Sequence, residues 1–191
     1  MSVSHPRVIS VFGSATIAPG SDEYGRAERL GRFLAGAGWV VMTGGFDGAM
    51  AACCRGAREA GGHTVGVTLR AWNRPANAWV CEERPQATYQ ERLLYMATMA
   101  DGYVAVDGGI GTLGELALVW SLLETRSLPP RPLVAVGRRW RRLFDVFAEE
   151  LVLRREHLAL VNVVASPEEA VPVLGQGFVG AEAPNGANSH G

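Results

Sequence analysis

Short apolar runs alternate with longer amphipathic segments along most of this 191-residue chain. Such alternation is typical of βαβ units, in which parallel strands lie side by side and each connecting helix covers one face of the sheet. We therefore predict an α/β fold: a single domain built on a Rossmann-like, doubly wound parallel sheet with helices on both faces. The predicted strands are residues 7–12, 39–43, 63–69, 102–106, 133–137 and 160–164. The predicted helices are residues 22–37, 47–60, 88–100, 112–125, 141–155 and 167–174.

Two stretches depart from this alternation. Residues 176–191 are rich in Gly, Ala and Asn without an apolar period, so we predict one folded domain over residues 1–175 and a flexible tail after it. Residues 70–86 are irregular and include Trp72 and Trp79. Because a long loop that leaves the carboxyl end of a strand is well placed to shape a pocket, we expect this segment to border a ligand site.

The 18 basic side chains of the sequence are all arginine. The absence of lysine excludes enzymes that form a Schiff base, pyridoxal phosphate enzymes among them, and it excludes a Walker A loop, whose lysine binds phosphate. The net charge of −1 provides no global basic field, so we predict neither a nucleic-acid partner nor a membrane partner. No apolar run reaches the roughly 18 residues of a membrane helix, and we predict a cytoplasmic protein.

Cysteine and histidine provide no pattern typical of a metal site or a disulfide framework. The three cysteines are an odd number, with Cys53 and Cys54 adjacent and Cys81 alone, and the four histidines show no ligand spacing. The loop after the first predicted strand lacks the GxGxxG fingerprint of dinucleotide-binding folds, which leaves a nicotinamide or flavin enzyme as a weak alternative. The sequence therefore predicts no metal and no cofactor.

Three predicted strands end in loops of small residues, at positions 13–14, 43–48 and 107–112. In a doubly wound sheet these loops meet at one edge, where helix N-termini present free amides and a favourable dipole to an anion. Glycine lets the backbone close on phosphate oxygens, although each loop alone is explained equally well as a tight turn. Three converging loops predict a phosphate site. Its candidate ligands in the first two loops are Gly13, Ser14, Gly44 and Gly45.

Two charged residues near these loops have more than one interpretation. Glu115 lies three residues after Thr112, a spacing typical of a helix capping box, and a glutamate in a first helical turn gains from the dipole without any catalytic role. Arg92 alone would be a solvated surface charge, whereas beside a phosphate its planar fork could bind bidentately. The sequence alone does not bring Arg92 and Glu115 together.

The glycine loops belong to an ordered set of short motifs. The set comprises Val11-Phe12-Gly13-Ser14, Thr43-Gly44-Gly45 through Gly48-Ala49-Met50, Gly61-Gly62 with Val65-Gly66-Val67, Arg92, and Gly108-Gly109-Ile110-Gly111-Thr112 with Glu115. Over residues 8–137 it resembles the Lonely Guy (LOG) family of nucleoside 5'-monophosphate phosphoribohydrolases, long mislabelled as lysine decarboxylases. The most specific part is the spacing: Arg92 precedes Asp107, the first residue of the PGGxGTxxE-like motif, by 15 positions, as in the family pattern.

The resemblance implies a hydrolase of the cytokinin-activating type. Its substrate would be an AMP-like purine nucleoside 5'-monophosphate, with or without an N6 substituent, cleaved to the free base and ribose 5-phosphate. Residues 1–175 would then be a nucleotide-binding catalytic domain. The implied catalytic pair is Arg92 and Glu115, the implied phosphate ligands are Gly108, Gly109, Gly111 and Thr112, and Ser121 takes the position of a substrate-contacting threonine.

The resemblance also implies a homodimer with residues of both chains near each site. Independently, the predicted helix at residues 112–125 carries more apolar side chains than one sheet face usually covers, so part of it can pack against a second subunit, with full burial within one chain as the alternative. We therefore expect a homodimer.

The chain departs from the family pattern at three positions. Asp107 replaces the leading proline of the motif, Leu93 replaces a lysine after the arginine, and Gly114 replaces a usual glutamate. The irregular segment with Trp72 and Trp79 also looks unlike that of the plant enzymes. These changes bear on the preference for the purine substituent more than on the fold.

Two other classes of function stay open from sequence. The same glycine loops could bind a nucleotide or the molybdenum cofactor without bond cleavage, because relatives of this fold include molybdenum cofactor carriers and nucleotide sensors. Alternatively, the glycine turns could serve packing alone in a structural or interaction domain. A co-purified intact chromophore would favour the carrier, and a melting temperature that no nucleotide raises would favour the structural domain.

Overall fold

The computed structural model describes residues 5–182. Seven strands within them pair in parallel in one sheet: β1 (Val8–Phe12), β2 (Val40–Thr43), β3 (Thr64–Gly66), β4 (Glu82–Glu83), β5 (Gly102–Ala105), β6 (Leu133–Val136) and β7 (Val161–Val164). Their order across the sheet is β4-β3-β2-β1-β5-β6-β7. The predicted doubly wound parallel sheet is confirmed.

Helices cover both faces of the sheet and create two apolar cores. One core joins the strands to α1, α2 and α7 through residues such as Leu30 and Leu174, and the other joins them to α3, α4 and α5 through Met96 and Leu116. No helix in residues 5–182 has the length and apolar character needed to cross a membrane. The helices are α1 (Asp22–Gly36), α2 (Ala49–Glu59), α3 (Tyr89–Thr98), α4 (Ile110–Glu124), α5 (Arg138–Glu150), α6 (Arg155–Leu158) and α7 (Pro167–Glu182).

The chain between β3 and α3 differs from the prediction. β3 ends at Gly66 rather than at residue 69, and Glu82–Glu83 forms β4, which no apolar pattern indicates. β4 exists because its backbone pairs with β3, with Glu82 opposite Val65. Tertiary pairing thus overrides the poor strand propensity of glutamate. The rest of the segment is irregular as predicted, with one 3-10 turn at Arg70–Trp72.

Two helices begin earlier than predicted. α4 begins at Ile110 rather than at residue 112, and α5 begins at Arg138 rather than at residue 141. A glycine N-cap, Gly109 or Gly137, precedes each. Gly137 is the only residue between β6 and α5, whereas four residues separate β5 from α4. α5 also ends at Glu150 rather than at residue 155, because Leu151 returns to an extended conformation.

The last helix is longer than predicted, since α7 runs to Glu182 instead of ending at residue 174. Glycine weakens the intrinsic helix propensity of this segment, but Phe178 is buried and packs edge-to-face on Trp39 at 5.3 Å. The packing of Phe178 therefore extends the helix through residues that suggested a tail. The remainder of the predicted tail, residues 183–191, lies outside the described residues.

The direction in which strands are added to the sheet reverses between β1 and β5. β2, β3 and β4 lie on one side of β1, whereas β5, β6 and β7 lie on the other. At such a switch point the loops after the two central strands diverge and leave a crevice beyond their carboxyl ends. Phe12 pairs with Ala105, so the loops that begin at Gly13 and Val106 flank this crevice.

Candidate active site

A cavity of about 360 Å³ occupies the crevice at the switch point. It lies between the loop after β1 and the start of α4, and the irregular segment after β3 forms part of its wall. Its lining includes Gly13, Ser14, Gly109, Gly111, Thr112, Arg92 and Glu115 from the predicted site, together with Ala15, Thr16, Phe46, Met50, Trp72, Arg74, Tyr89 and Ile110.

Arg92 and Glu115 meet at this cavity although they are 23 positions apart in sequence. Nη1 of Arg92 donates to Oε1 of Glu115 at 3.4 Å, and Nε donates to the carbonyl of Val67 at 2.8 Å. Arg92 is 4% exposed and Glu115 is 8% exposed. The interpretation of Arg92 as a solvated surface charge is therefore wrong.

The start of α3 determines where Arg92 lies. Thr88 accepts a hydrogen bond from the backbone of Glu91, and the carboxylate of Glu91 accepts one from the backbone of Thr88, which completes a capping box. This box fixes the first turn of α3. Arg92, the residue after Glu91, then lies in the protein interior rather than in solvent.

Burial raises the pKa of Glu115 to about 7, and the charge and hydrogen bond of Arg92 only partly oppose this rise. Removal from water disfavours the ionised carboxylate, whereas a neighbouring guanidinium favours it. A carboxyl group with a pKa near neutrality gains and loses its proton under physiological conditions. Such groups cluster at sites of acid–base chemistry.

Gly44 provides the space that the guanidinium occupies. A Cβ at this position would lie 1.8 Å from Nη2 of Arg92 and 2.7 Å from Sδ of Met50. Gly44 and Gly45 are both buried, and neither lines the cavity. The structure thus places the predicted phosphate ligand Gly44 against Arg92 and the predicted phosphate ligand Gly45 against Thr68 and Gly66.

The first turn of α4 opens into the cavity. Leu113 donates the first backbone hydrogen bond of the helix, to Gly109, so the N–H groups of Ile110, Gly111 and Thr112 have no partner within the helix. The N-cap Gly109 makes no side-chain cap hydrogen bond. The capping-box interpretation of Thr112 and Glu115 is wrong, because the helix begins two residues before Thr112. These amides and the helix dipole can bind an anion.

The loop after β1 completes the opposite side of the cavity. The backbone N–H of Ser14 donates to the carbonyl of Asp107 at 3.2 Å, which joins this loop to the end of β5. The hydroxyl of Ser14 lies 2.8 Å from that of Thr16. Gly13 is closely packed, because a Cβ there would lie 2.7 Å from atoms of Ala49. Gly13 and Ser14 therefore border the cavity, and their role as phosphate ligands stays a prediction.

A family of the name SLOG cluster4 matches residues 6–126, which include every residue that lines the cavity. The chain belongs to the SLOG cluster4 family. Among the residues that this family covers are both members of the buried pair, Arg92 and Glu115.

The chain of this SLOG cluster4 protein is also similar to a named enzyme. It is 36% identical over 98 residues to the Mycobacterium tuberculosis protein named cytokinin riboside 5'-monophosphate phosphoribohydrolase, which covers 50% of this chain and 52% of that protein. The match thus spans about half the length of this relative. Together with the SLOG cluster4 match, this similarity confirms the resemblance to the LOG family.

Two solved structures share the fold of this SLOG cluster4 protein over nearly its whole length. The molybdenum cofactor binding protein of Rippkaea orientalis has a TM-score of 0.74 at 23% identity, covering 90% of this chain and 97% of that chain. The molybdenum cofactor carrier protein of Chlamydomonas reinhardtii has a TM-score of 0.71 at 26% identity, covering 92% and 99%. The fold of the SLOG cluster4 chain is therefore shared by proteins with different names.

Besides Gly44 and Gly45, two more of the predicted residues, Gly108 and Ser121, do not line the cavity. Gly108 lies just before it, where a Cβ would meet the side chain of Thr112 at 2.1 Å. Ser121 is exposed further along α4 and borders a separate depression with Trp120 and His157. The structure therefore does not bring Ser121 to Arg92 and Glu115 within one chain.

Several lining residues were not predicted from sequence as part of the site. Trp72 and Arg74 lie in the irregular segment that we expect from sequence to shape a pocket. The tryptophan is the feature of that segment that could have indicated a binding residue. Phe46 lies between Gly45 and Gly48. The sequence prediction for this loop rests on its glycines and assigns no role to Phe46. Tyr89 precedes Arg92 by one helical turn, and nothing in its local pattern indicates a binding role. Within residues 5–182, no three His, Cys, Asp or Glu side chains are grouped to hold a metal ion.

Gly44→Ala tests the packing behind Arg92. The added methyl group would displace the guanidinium, so we expect the free energy of unfolding to fall by about 1–3 kcal/mol, the usual cost of overpacking a core. Denaturant titration measures this loss. Gly36→Ala in α1, where a Cβ meets nothing within 4 Å, is the control and should be neutral or stabilising. Equal stability of the two variants would contradict the close packing of Gly44 on Arg92.

Proposed function

We propose that this protein hydrolyses the N-glycosidic bond of a purine nucleoside 5'-monophosphate to the free base and ribose 5-phosphate. The observation that carries the proposal is the buried carboxylate of Glu115, held by Arg92 at 3.4 Å on a cavity that an uncapped helix N-terminus also lines. The similarity to the mycobacterial protein named as a phosphoribohydrolase supports it.

The phosphate would bind at the first turn of α4. Three backbone amides without helical partners, at Ile110, Gly111 and Thr112, supply donors there, and the helix dipole favours negative charge. Glu115 follows Ile110 by five positions, about 7.5 Å along the helix axis at 1.5 Å per residue. The ribose spans this separation, so binding the phosphate orients the anomeric carbon toward the carboxylate.

Cleavage of the glycosidic bond leaves positive charge on the ribose, as in other glycoside hydrolyses. The ionised carboxylate of Glu115 stabilises this charge and orients the attacking water. The water oxygen bonds to the anomeric carbon, the electrons of the broken bond leave with the base, and one proton of the water is transferred to the base. The net products are ribose 5-phosphate and the protonated, neutral base.

Arg92 positions Glu115 in this mechanism. Its Nη1 and Nε are directed to Glu115 and to the carbonyl of Val67, and Gly44 packs against its Nη2. These contacts favour one role of Arg92 over another. The guanidinium would favour the ionised form of the Glu115 carboxylate and hold it in position, rather than bind the phosphate. Arg92→Ala should therefore impair turnover more than nucleotide binding.

A binding protein for the molybdenum cofactor is the second candidate. The similarity of fold to the molybdenum cofactor carrier protein of C. reinhardtii, over 92% of this chain, favours it. The same amides of α4 would then hold the phosphate of a pterin without bond cleavage. Purified protein that carries an intact chromophore and leaves AMP uncleaved would support this candidate and contradict hydrolysis.

Glu115→Gln is the first test of hydrolysis. We expect the wild type to release adenine from AMP or from an N6-substituted AMP. The variant should keep nucleotide binding and lose turnover by ~10²-fold or more, the scale of a positioned acid–base group. Chromatography of the free base measures turnover, and calorimetry measures binding. Glu124→Gln, at the exposed end of the same helix, is the matched control. Near-normal turnover in Glu115→Gln would contradict a catalytic role.

The pH profile provides a second test. Because burial raises the pKa of Glu115 to about 7, the ionised form is populated above that pH, and we expect kcat/KM to rise with pH through 7 and then level. The substrate phosphate titrates near pH 6 and also affects the profile. The affinity for ribose 5-phosphate, measured over the same pH range, gives the contribution of the phosphate alone. A rate that falls as pH rises through 7 would instead make Glu115 a general acid.

We further propose that a second copy of the chain covers the outward face of α4. From Ile110 to Leu123 the helix contains one charged residue, Glu115, and that residue is buried. The exposed positions on this face are Gly114, Ala117 and Ser121, beside the 85% exposed Ile110 at the cavity. An uncharged helix face of this kind is typical of an interface rather than of a solvated surface.

Ala117→Arg tests this homodimer. We expect the wild type to sediment as a dimer at micromolar concentration and the variant as a monomer, because a guanidinium would be buried at the interface without a partner. Phe33→Arg is the control, since Phe33 is 37% exposed on α1 at the opposite face of the sheet. A monomeric wild type would contradict the interface.

A further inference from the structure

Phe46 and Trp72 form an aromatic wall on one side of the cavity. Their ring centroids lie 5.1 Å apart with a tilt of 41°, and both residues line the cavity. Phe46 is 2% exposed, whereas Trp72 is 51% exposed. Phe46 is therefore the buried support of the wall, and Trp72 is its accessible surface.

The aromatic wall lies next to the buried ion pair. Cζ of Arg92 is 5.9 Å from the ring centroid of Phe46 and 6.0 Å from that of Trp72, a range in which a cation is attracted to the ring face. The same guanidinium contacts Glu115. Arg92 thus contacts both Glu115 and the aromatic wall. If the reacting carbon of a ligand lies at Glu115, the group bonded to that carbon lies near the wall.

The two loops that carry the wall are tied to each other. The side-chain amide of Asn77 donates to the carbonyls of Gly45 and Phe46 at 3.1 and 2.8 Å, and its backbone N–H also donates to Gly45 at 2.8 Å. Arg74 forms an ion pair with Asp47. These contacts connect the irregular segment to the loop after β2. The wall is thus formed before a ligand binds, which reduces the ordering cost of binding.

We propose that Trp72 is the stacking platform for the base of the bound nucleotide and a determinant of selectivity for purines. The inference rests on the proposed function, which places the phosphate at the start of α4 and the anomeric carbon at Glu115. The base is then the part of the nucleotide that reaches the wall. Stacking needs only a planar π face, and a bicyclic purine covers more of an indole ring than a pyrimidine does.

Trp72→Leu tests the platform, with Trp79→Leu as the matched control. Trp79 lies on the same irregular segment, is 37% exposed and does not line the cavity; its ring centroid is 5.8 Å from the guanidinium of Arg55. Both substitutions are made in Glu115→Gln protein, so that the nucleotide is not consumed. Calorimetry then measures the affinities for AMP, CMP and ribose 5-phosphate.

We expect Trp72→Leu to weaken AMP binding by roughly 5- to 150-fold, the range for loss of one base–aromatic stack. CMP binding should weaken less, and ribose 5-phosphate binding should stay unchanged, which also shows that the variant is folded. Trp72→Phe retains an aromatic face and should give an intermediate AMP affinity. Trp79→Leu should alter none of the three affinities.

An unchanged AMP affinity in Trp72→Leu would overturn the platform. So would an equal loss for AMP and ribose 5-phosphate, because Trp72 would then support the cavity rather than the base. Failure of the proposed hydrolysis is seen separately, in wild-type protein that releases no base from AMP. If that protein still loses AMP affinity selectively through Trp72→Leu, hydrolysis fails and the platform stands.

Discussion

The buried ion pair of Arg92 and Glu115 is the constraint on which the site depends. Withdrawing two charges from water costs several kcal/mol per ion unless each finds partners. Arg92 finds them in Val67 and Glu115, and Gly44 leaves room for its guanidinium. Glu115 is less well compensated, since burial still raises its pKa to about 7. A pair of this kind contributes little to stability, which agrees with the catalytic role proposed for it.

The parallel sheet brings the other parts of the site to this pair. Because the strand order reverses between β1 and β5, the loops after these strands flank one crevice, and α4 begins inside it. The same helix then supplies free amides at its first turn and the carboxylate of Glu115 in the next. Arg92 comes from a different helix, α3. The capping box at Thr88 fixes the start of α3, and Arg92 is buried in the turn that follows. The free amides and the ionisable carboxylate therefore belong to one rigid helix rather than to flexible loops.

Sequence patterns predicted the parallel sheet and the cavity edge, because alternation and glycine loops are local signals. They did not predict β4 or the length of α7, since both depend on contacts with distant residues, Val65 for β4 and Trp39 for α7. The resemblance implied the pair of Arg92 and Glu115, but only the packing of α3 against α4 shows the two in contact. The sequence predicts Gly44 as a phosphate ligand, whereas in the structure it leaves space for the guanidinium of Arg92. These two uses of a glycine cannot be distinguished from sequence.

Asp107 shows how a departure from the family pattern can keep the geometry of the site. The LOG-like motif has proline at this position, and proline restricts the backbone at the end of β5. Here Oδ2 of Asp107 accepts hydrogen bonds from Arg26 at 3.1 and 2.8 Å, and Oδ1 accepts one from Arg139 at 3.0 Å. Its carbonyl accepts one from Ser14. Charge-assisted bonds of this kind are among the stronger ones. The aspartate thus ties α1, α5 and the loop after β1 to the strand end that precedes the first turn of α4. Contacts with three distant elements constrain the backbone there, where a proline ring would constrain it locally.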